Sequence, residues 1–163
     1  MGQSADIIVI GAGIAGASAA AELANHGKVI LLEMETQPGY HATGRSAAFF
    51  AASYGNKVVQ GITAASEHFY REPPEGFSDV ALLHPRDCFF IGHSGQVQQM
   101  NSLKFENDKL RIITSEQACQ RVPILSPDYV TDVLCDDQGG DLNVDAILQG
   151  YLRSFKKRGG ELI

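Results

Sequence analysis

The hydrophobic pattern is most ordered towards the two ends of the chain. Asp6 to Ile10, DIIVI, is a β-branched run without polar alternation, which predicts a strand buried on both faces of a parallel sheet. GAGIAGASAAAELANHG predicts a helix next, with Gly16, Ala20 and Ala24 recurring every four positions and Gly27 as its stop. Lys28 to Glu33, KVILLE, is a second buried strand, so these segments predict a βαβ unit with a right-handed crossover. Further on, Val144, Ile147, Leu148, Tyr151, Leu152 and Phe155 mark one face of an amphipathic helix. Asn143 caps it, Lys156 to Arg158 fill its last turn and Gly159 follows. GGELI then begins like another core strand. A domain rarely ends on the first residues of an interior strand, so the chain reads as the N-terminal part of a longer protein. Alone it is expected to be marginally stable and inactive.

The middle is less regular, and Met34 to Tyr54 lacks a third strand of the same kind. ASEHFYREPPEG predicts a helix stopped before Pro73 and Pro74, and Leu82 to Gly92 one or two strands around Pro85. Gln96 to Phe105 reads as a helix and Arg111 to Ile113 as a short strand. Thr114 and Gln117 have the spacing of a capping box opening a helix that ends before Pro123.

Composition narrows the function classes. With 163 residues, 44% hydrophobic and 20% charged, the chain can bury one modest core and is not a disordered segment. A net charge of -6 argues against nucleic acid as a partner. Cys88, Cys119 and Cys135 are far apart and form no CxxC, so neither a disulfide framework nor a metal site is expected, and a reducing, cytoplasmic location fits. The apolar start is not read as a secretory signal, because Asp6 and no Lys or Arg precedes it and glycines interrupt it. No run reaches the roughly 18 apolar residues of a transmembrane helix.

The chemistry lies in two turns. Gly11, Gly13 and Gly16 form GxGxxG between a strand and a helix, with Glu33 about twenty positions on at the end of the next strand. Gly11 permits the tight turn, Gly13 lets backbone approach a pyrophosphate, and Gly16 allows close helix–strand packing. The helix N-terminus offers its N–H groups to phosphate. Glu33 can accept from a ribose 2'-hydroxyl and would repel a 2'-phosphate, which disfavours NADP. Soon after comes TGRSAAFF, a second anion-binding turn: Thr43, Ser46 and backbone N–H groups as donors, Gly44 for close approach, Arg45 as a cation. Ala47, Ala48, Phe49 and Phe50 follow as a small, apolar floor for a flat ring. A pyrophosphate joined to an extended flat ring fits FAD better than NAD.

GAGIAGASAA, EMETQPGYHATGRSAAFF, Tyr54-Gly55, ITAAS and GGDLNVDAILQGYLR together resemble the FAD-dependent D-amino acid oxidase superfamily, and within it the bacterial D-arginine dehydrogenases. The resemblance implies an α/β fold: a Rossmann-like FAD-binding domain with part of an inserted α+β substrate domain. On that basis residues 1–55 begin the FAD-binding domain, 56–140 are a partial substrate-domain segment, and 141–163 return to the first domain. It implies oxidation of a D-amino acid to an imino acid, hydrolysed to a 2-oxo acid, with electrons passed to an unidentified acceptor other than oxygen. It assigns FAD contacts to Ala15, Glu33, Met34 and the run Ala42, Thr43, Gly44, Arg45, Ser46, Ala47, Ala48 and Phe49, and a substrate contact to Tyr54.

Two positions depart from the D-arginine enzymes: Phe49 stands where they have a histidine, and Cys88, with Asp87 beside it, where a glutamate receives the substrate's cationic end. A neutral thiol cannot replace that carboxylate. The arginine that clamps the substrate carboxylate lies, in the family, in the C-terminal half. His41 reads as a polar loop histidine and not as a flavin attachment point or base. No general base is needed if the substrate amine is already neutral when the hydride leaves. Other readings keep the fold but change the substrate to a 2-hydroxy acid or glycerol 3-phosphate, or make the chain a non-catalytic nucleotide-binding module that needs a partner chain.

Overall fold

The computed structural model describes residues 4–163, so residues 1–3 of the expected 1–55 segment lie outside the described residues. The first half runs β1 (Ile7–Ile10), α1 (Ile14–Leu23), β2 (Val29–Leu32), β3 (Phe49–Phe50), α2 (Lys57–Arg71), β4 (Leu83–Pro85) and β5 (Cys88–Gly92). The second runs α3 (Val97–Glu106), β6 (Arg111–Ile113), α4 (Ser115–Arg121), β7 (Asp132–Asp136), β8 (Gly140–Leu142), α5 (Val144–Lys157) and β9 (Glu161–Leu162). The contacts separate two compact units. One comprises the residues up to Ala48 with His68–Leu83 and Leu142–Ile163, and the other Phe49–Glu67 with His84–Asp141.

The first unit is built on a parallel sheet in the order β1-β2-β9, with Ile7 opposite Val29 and Leu31 opposite Leu162. Ala17, Ala20 and Ala21 of α1 meet Leu148, Leu152 and Phe155 of α5 above Val29 and Leu31. Small side chains on α1 let the larger ones of α5 close the gap, which explains why the glycine- and alanine-rich stretch forms a core helix despite its poor content of bulky residues. The helix is shorter than its pattern predicted, because Gly11 to Gly13 form a turn before it. The expectation of two-sided burial is corrected at β1: Ile7 and Val9 pack beneath α1, whereas Ile8 and Ile10 are 60% and 84% exposed. Alternate side chains of the strand point to opposite faces, so Ile7 and Val9 share the face that α1 covers and Ile8 and Ile10 the other, where Ile30 of β2 is nonetheless buried.

The second unit contains an antiparallel sheet in the order β5-β7-β6, with Cys88 opposite Asp136 and Phe90 opposite Leu134. One face, carrying Phe90 and Leu134, packs on Met100, Leu103 and Leu110; the other, carrying Phe89, Val133 and Cys135, packs on Ala118, Leu125 and Val130. The capping box forms as expected, with the Gln117 N–H donating to Thr114 Oγ1 at 3.2 Å and the Thr114 N–H to Gln117 Oε1 at 3.0 Å. α2 starts well before the predicted segment because Asn56 caps it, its side chain accepting from the N–H groups of Val58 and Val59 at 3.1 Å each. Among the described residues no helix is long and apolar enough to cross a membrane.

Candidate functional site

The first turn is shaped by what its glycines lack. Gly11 has φ of +93°, a left-handed conformation that side chains resist. A Cβ on Gly16 would stand 1.8 Å from the Gly11 carbonyl oxygen, so only glycine lets α1 leave the strand this closely. A Cβ on Gly13 would stand 3.0 Å from Thr43 Oγ1. That hydroxyl accepts the Ile14 N–H at 2.9 Å, so Thr43, expected as a phosphate donor, also ties the second turn to the start of α1. This link was not predicted, and no local pattern could signal a contact across so many residues.

Glu33 is fixed from two sides. Its Oε2 accepts the Ala12 N–H at 2.7 Å and its Oε1 the Glu35 N–H at 3.0 Å. The Glu35 and Ala12 donors hold its carboxyl below the ordinary glutamate range. A carboxylate bonded in this way keeps lone pairs for ribose hydroxyls. The second turn is a short 3₁₀ segment, Thr43–Arg45, locked by the Gly44 N–H donating to the Gly39 carbonyl at 2.7 Å. Arg45 is exposed, with its guanidinium 5.7 Å from the centre of the Tyr40 ring. Ser46 Oγ accepts the Ala48 N–H at 3.0 Å, and Ala48 itself is left-handed, with φ of +49°. His41 hydrogen-bonds Glu35 through Nε2 at 2.7 Å.

These residues converge on two cavities of the first unit. One, of about 820 Å³, is lined by Gly11, Gly13, Ala15, Gly16, Glu33, Met34, Ala42 and Thr43 among others. The other, of about 810 Å³, is lined by Thr43, Gly44, Arg45 and Ser46 together with Asn143 and Asp145 at the start of α5. Ala47 and Ala48 line neither. The first turn of α1 carries no acidic side chain to compete with a phosphate. A nucleotide fits this donor set: backbone N–H groups at a helix start, a glycine turn without side chains, and an ionised acid at the end of the second strand.

In the second unit Phe49 lies beneath Arg86, whose guanidinium is 4.8 Å from the ring centre and bonds Asp141 through Nε and Nη2 at 2.8 and 2.6 Å. Phe50 is buried. Tyr54 is 69% exposed, on the loop after β3. Cys88 is half-buried in β5; burial first, and the neighbouring Asp136 second, push its thiol pKa up. Asp87, the residue before β5, pairs with Arg121 of α4, and Asp87 and Cys88 both line a cavity of about 670 Å³ with Phe49 and Arg86.

The fold and the cleft define a nucleotide-binding flavoprotein of the α/β class. The sequence matches the profile of the family described as "DAO: FAD dependent oxidoreductase" over residues 6–163, and the chain belongs to that family. Its cofactor is FAD. Solved structures share the fold. L-proline dehydrogenase from P. horikoshii is 19% identical with a TM-score of 0.83, the match covering 100% of this chain and 44% of that one. L-alpha-glycerophosphate oxidase from Mycoplasma pneumoniae, with FAD bound, is 11% identical with a TM-score of 0.83, covering 99% and 45%. Glycine oxidase from Bacillus cereus is 16% identical with a TM-score of 0.80, covering 98% and 46%. The chain thus spans less than half the length of these structures.

Proposed function

We propose that the protein to which this chain belongs oxidises D-amino acids and, unlike the D-arginine dehydrogenases it resembles in sequence, prefers neutral side chains. FAD, when bound, supplies the hydride acceptor. In this proposal Gly11, Gly13, Ala15 and Gly16 hold the pyrophosphate, and Glu33 and Met34 the adenosine end. The run Ala42 to Phe49 holds the flavin side, while Tyr54 and Cys88 contact the substrate. The imino acid product is hydrolysed by water.

The observation that carries the preference is the split between Cys88 and Asp87. The position expected to receive a cationic substrate end is a thiol kept neutral by burial and by Asp136. The adjacent carboxylate lines the same cavity but is paired with Arg121. Asp136 is only 1% exposed, and its oxygens accept from Ser53 Oγ and the Gln138 N–H, so it does not stand in as an exposed anion. A guanidinium desolvated against this surface forgoes a charge-assisted hydrogen bond of about 1.5–3 kcal/mol, roughly ten- to a hundredfold in selectivity.

Steady-state kinetics of the holoenzyme on a panel of D-amino acids, with a dye as electron acceptor, tests this. The expected order places D-methionine, D-leucine or D-phenylalanine above D-arginine and D-lysine. A preference for D-arginine would overturn the specificity. Turnover of 2-hydroxy acids or glycerol 3-phosphate without turnover of any D-amino acid would overturn the substrate class.

A further inference from the structure

Asp136 is a buried carboxylate that contacts no substrate in the function proposed above. It ends β7 opposite Cys88, is 1% exposed, and its described partners are a hydroxyl and a backbone N–H rather than a cation. Burying a carboxylate on such partners costs stability, and an apolar residue of similar size would pack there at lower cost. What the carboxylate grips is Ser53, the residue before Tyr54. Ser53 is equally buried, and its carbonyl accepts from Asn107 Nδ2 at 2.7 Å and from Gln60 Nε2 at 3.2 Å. Gln60 also bonds the Gly55 carbonyl at 2.9 Å, on the far side of Tyr54. Gly55 has φ of +84°, and the Tyr54 N–H turns back to the Ala51 carbonyl at 3.2 Å. A backbone held on both sides therefore carries an aromatic ring that is 69% exposed.

We infer that Asp136 and Asn107 are positioning residues: through Ser53 they hold the 51–56 loop so that Tyr54 presents its ring to substrate in a fixed orientation. The inference rests on the proposed role of Tyr54. A clamped backbone under an exposed ring does little for folding, where an exposed tyrosine gains little from being held. It lowers the ordering cost of a contact formed on binding.

A double-mutant cycle separates this role from general stability. In the holoenzyme with D-methionine as probe, Ser53→Ala and Asn107→Ala are each expected to raise KM roughly two- to tenfold, the loss of one hydrogen bond. On a Tyr54→Ala background the same changes should have no further effect, because groups acting through one residue are not additive. A second readout is independent of turnover. The 163-residue sequence contains no tryptophan, so the emission gained by Tyr54→Trp, over the parent holoenzyme, reports on this position. Its anisotropy is expected to fall when Ser53→Ala or Asn107→Ala is added. Additive KM effects, or unchanged anisotropy, would overturn the positioning role while leaving Tyr54 as a substrate contact. An unchanged KM in Tyr54→Ala alone would overturn both. Should Ser53→Ala fail to fold, because it leaves the Asp136 carboxylate without its hydroxyl partner, Asn107→Ala carries the same test, since it removes one clamp and leaves the Ser53–Asp136 bond in place.

Discussion

The cleft of the first unit and the Tyr54–Cys88 region of the second are built from different materials. The cleft is made of backbone: a left-handed glycine, two positions where a Cβ has little or no room, a helix start, and one acid held by two N–H groups. The second region is made of side chains brought together by antiparallel pairing, with Cys88, Asp136 and Ser53 drawn from three separate segments. A backbone site tolerates almost no substitution at its glycines but leaves the surrounding sequence free. A side-chain site can change its ligand by single substitutions while the fold persists.

The sharpest way to break the comparison is Gly16→Val. Its Cβ would collide with the Gly11 carbonyl, and the cost should reach about 3 kcal/mol or more, with loss of bound flavin. Flavin absorbance after gel filtration, with thermal unfolding alongside, measures both. Retained flavin would mean that the turn can relax and that the cleft is not fixed by its backbone.

Next in size is Glu33→Gln, expected to weaken FAD binding by about ten- to a hundredfold through loss of charge-assisted hydrogen bonds to ribose. The pH dependence follows from the lowered carboxyl pKa. The unfolded chain takes up this proton more readily than the folded one, so the stabilisation is complete above the ordinary glutamate range. It is lost as pH falls through the lowered folded value. The wild type should therefore keep its flavin through the ordinary glutamate range and release it only at lower pH. A titration of flavin fluorescence in the two proteins should show that this acid-side step is absent from Glu33→Gln.

In the second unit Cys88→Glu should raise kcat/KM for D-arginine by up to about tenfold, the worth of a modest charge-assisted bond. Asp136 across the strand limits the gain, because its carboxylate repels a second one placed opposite it. Asp87→Asn should leave the substrate order unchanged, since that carboxylate serves an exposed pair with Arg121. Kinetics on both variants decides the matter: a collapse of activity toward cationic substrates in Asp87→Asn would reverse the roles given to the two residues. The smallest effect is expected at Ala48→Gly. Relief of the left-handed alanine, about 1–2 kcal/mol, is offset in part by the added freedom of glycine in the unfolded chain, leaving a gain under about 1 kcal/mol in thermal unfolding.

Much of the first unit was legible because its signals are local. The buried β2, the Asn143 cap of α5, the apolar stripe from Val144 to Phe155 and the glycine turn each lie within a short span whose spacing states the geometry. The same holds for the Thr114 capping box. β7 and β8 were missed. DVLCD has no alternation and only five residues, and it becomes a strand because β5 and β6 pair with its two edges. The exposed face of β1 was misjudged for a related reason: a run of β-branched residues does not say how many faces its neighbours cover.

By itself, then, the sequence determined the elements whose causes lie within a few residues. These are the strand–turn–helix with its glycine turn, the acid that follows it, and the helix caps. Steric exclusion at glycine and hydrogen bonding at helix ends act over one or two turns of chain. Only the tertiary structure decided that Asp87 pairs with Arg121, that Thr43 caps α1, and that Asp136 grips Ser53. Those outcomes depend on strand register and on contacts between distant segments. A one-residue shift in pairing would exchange the two faces of β5 without changing a single local preference.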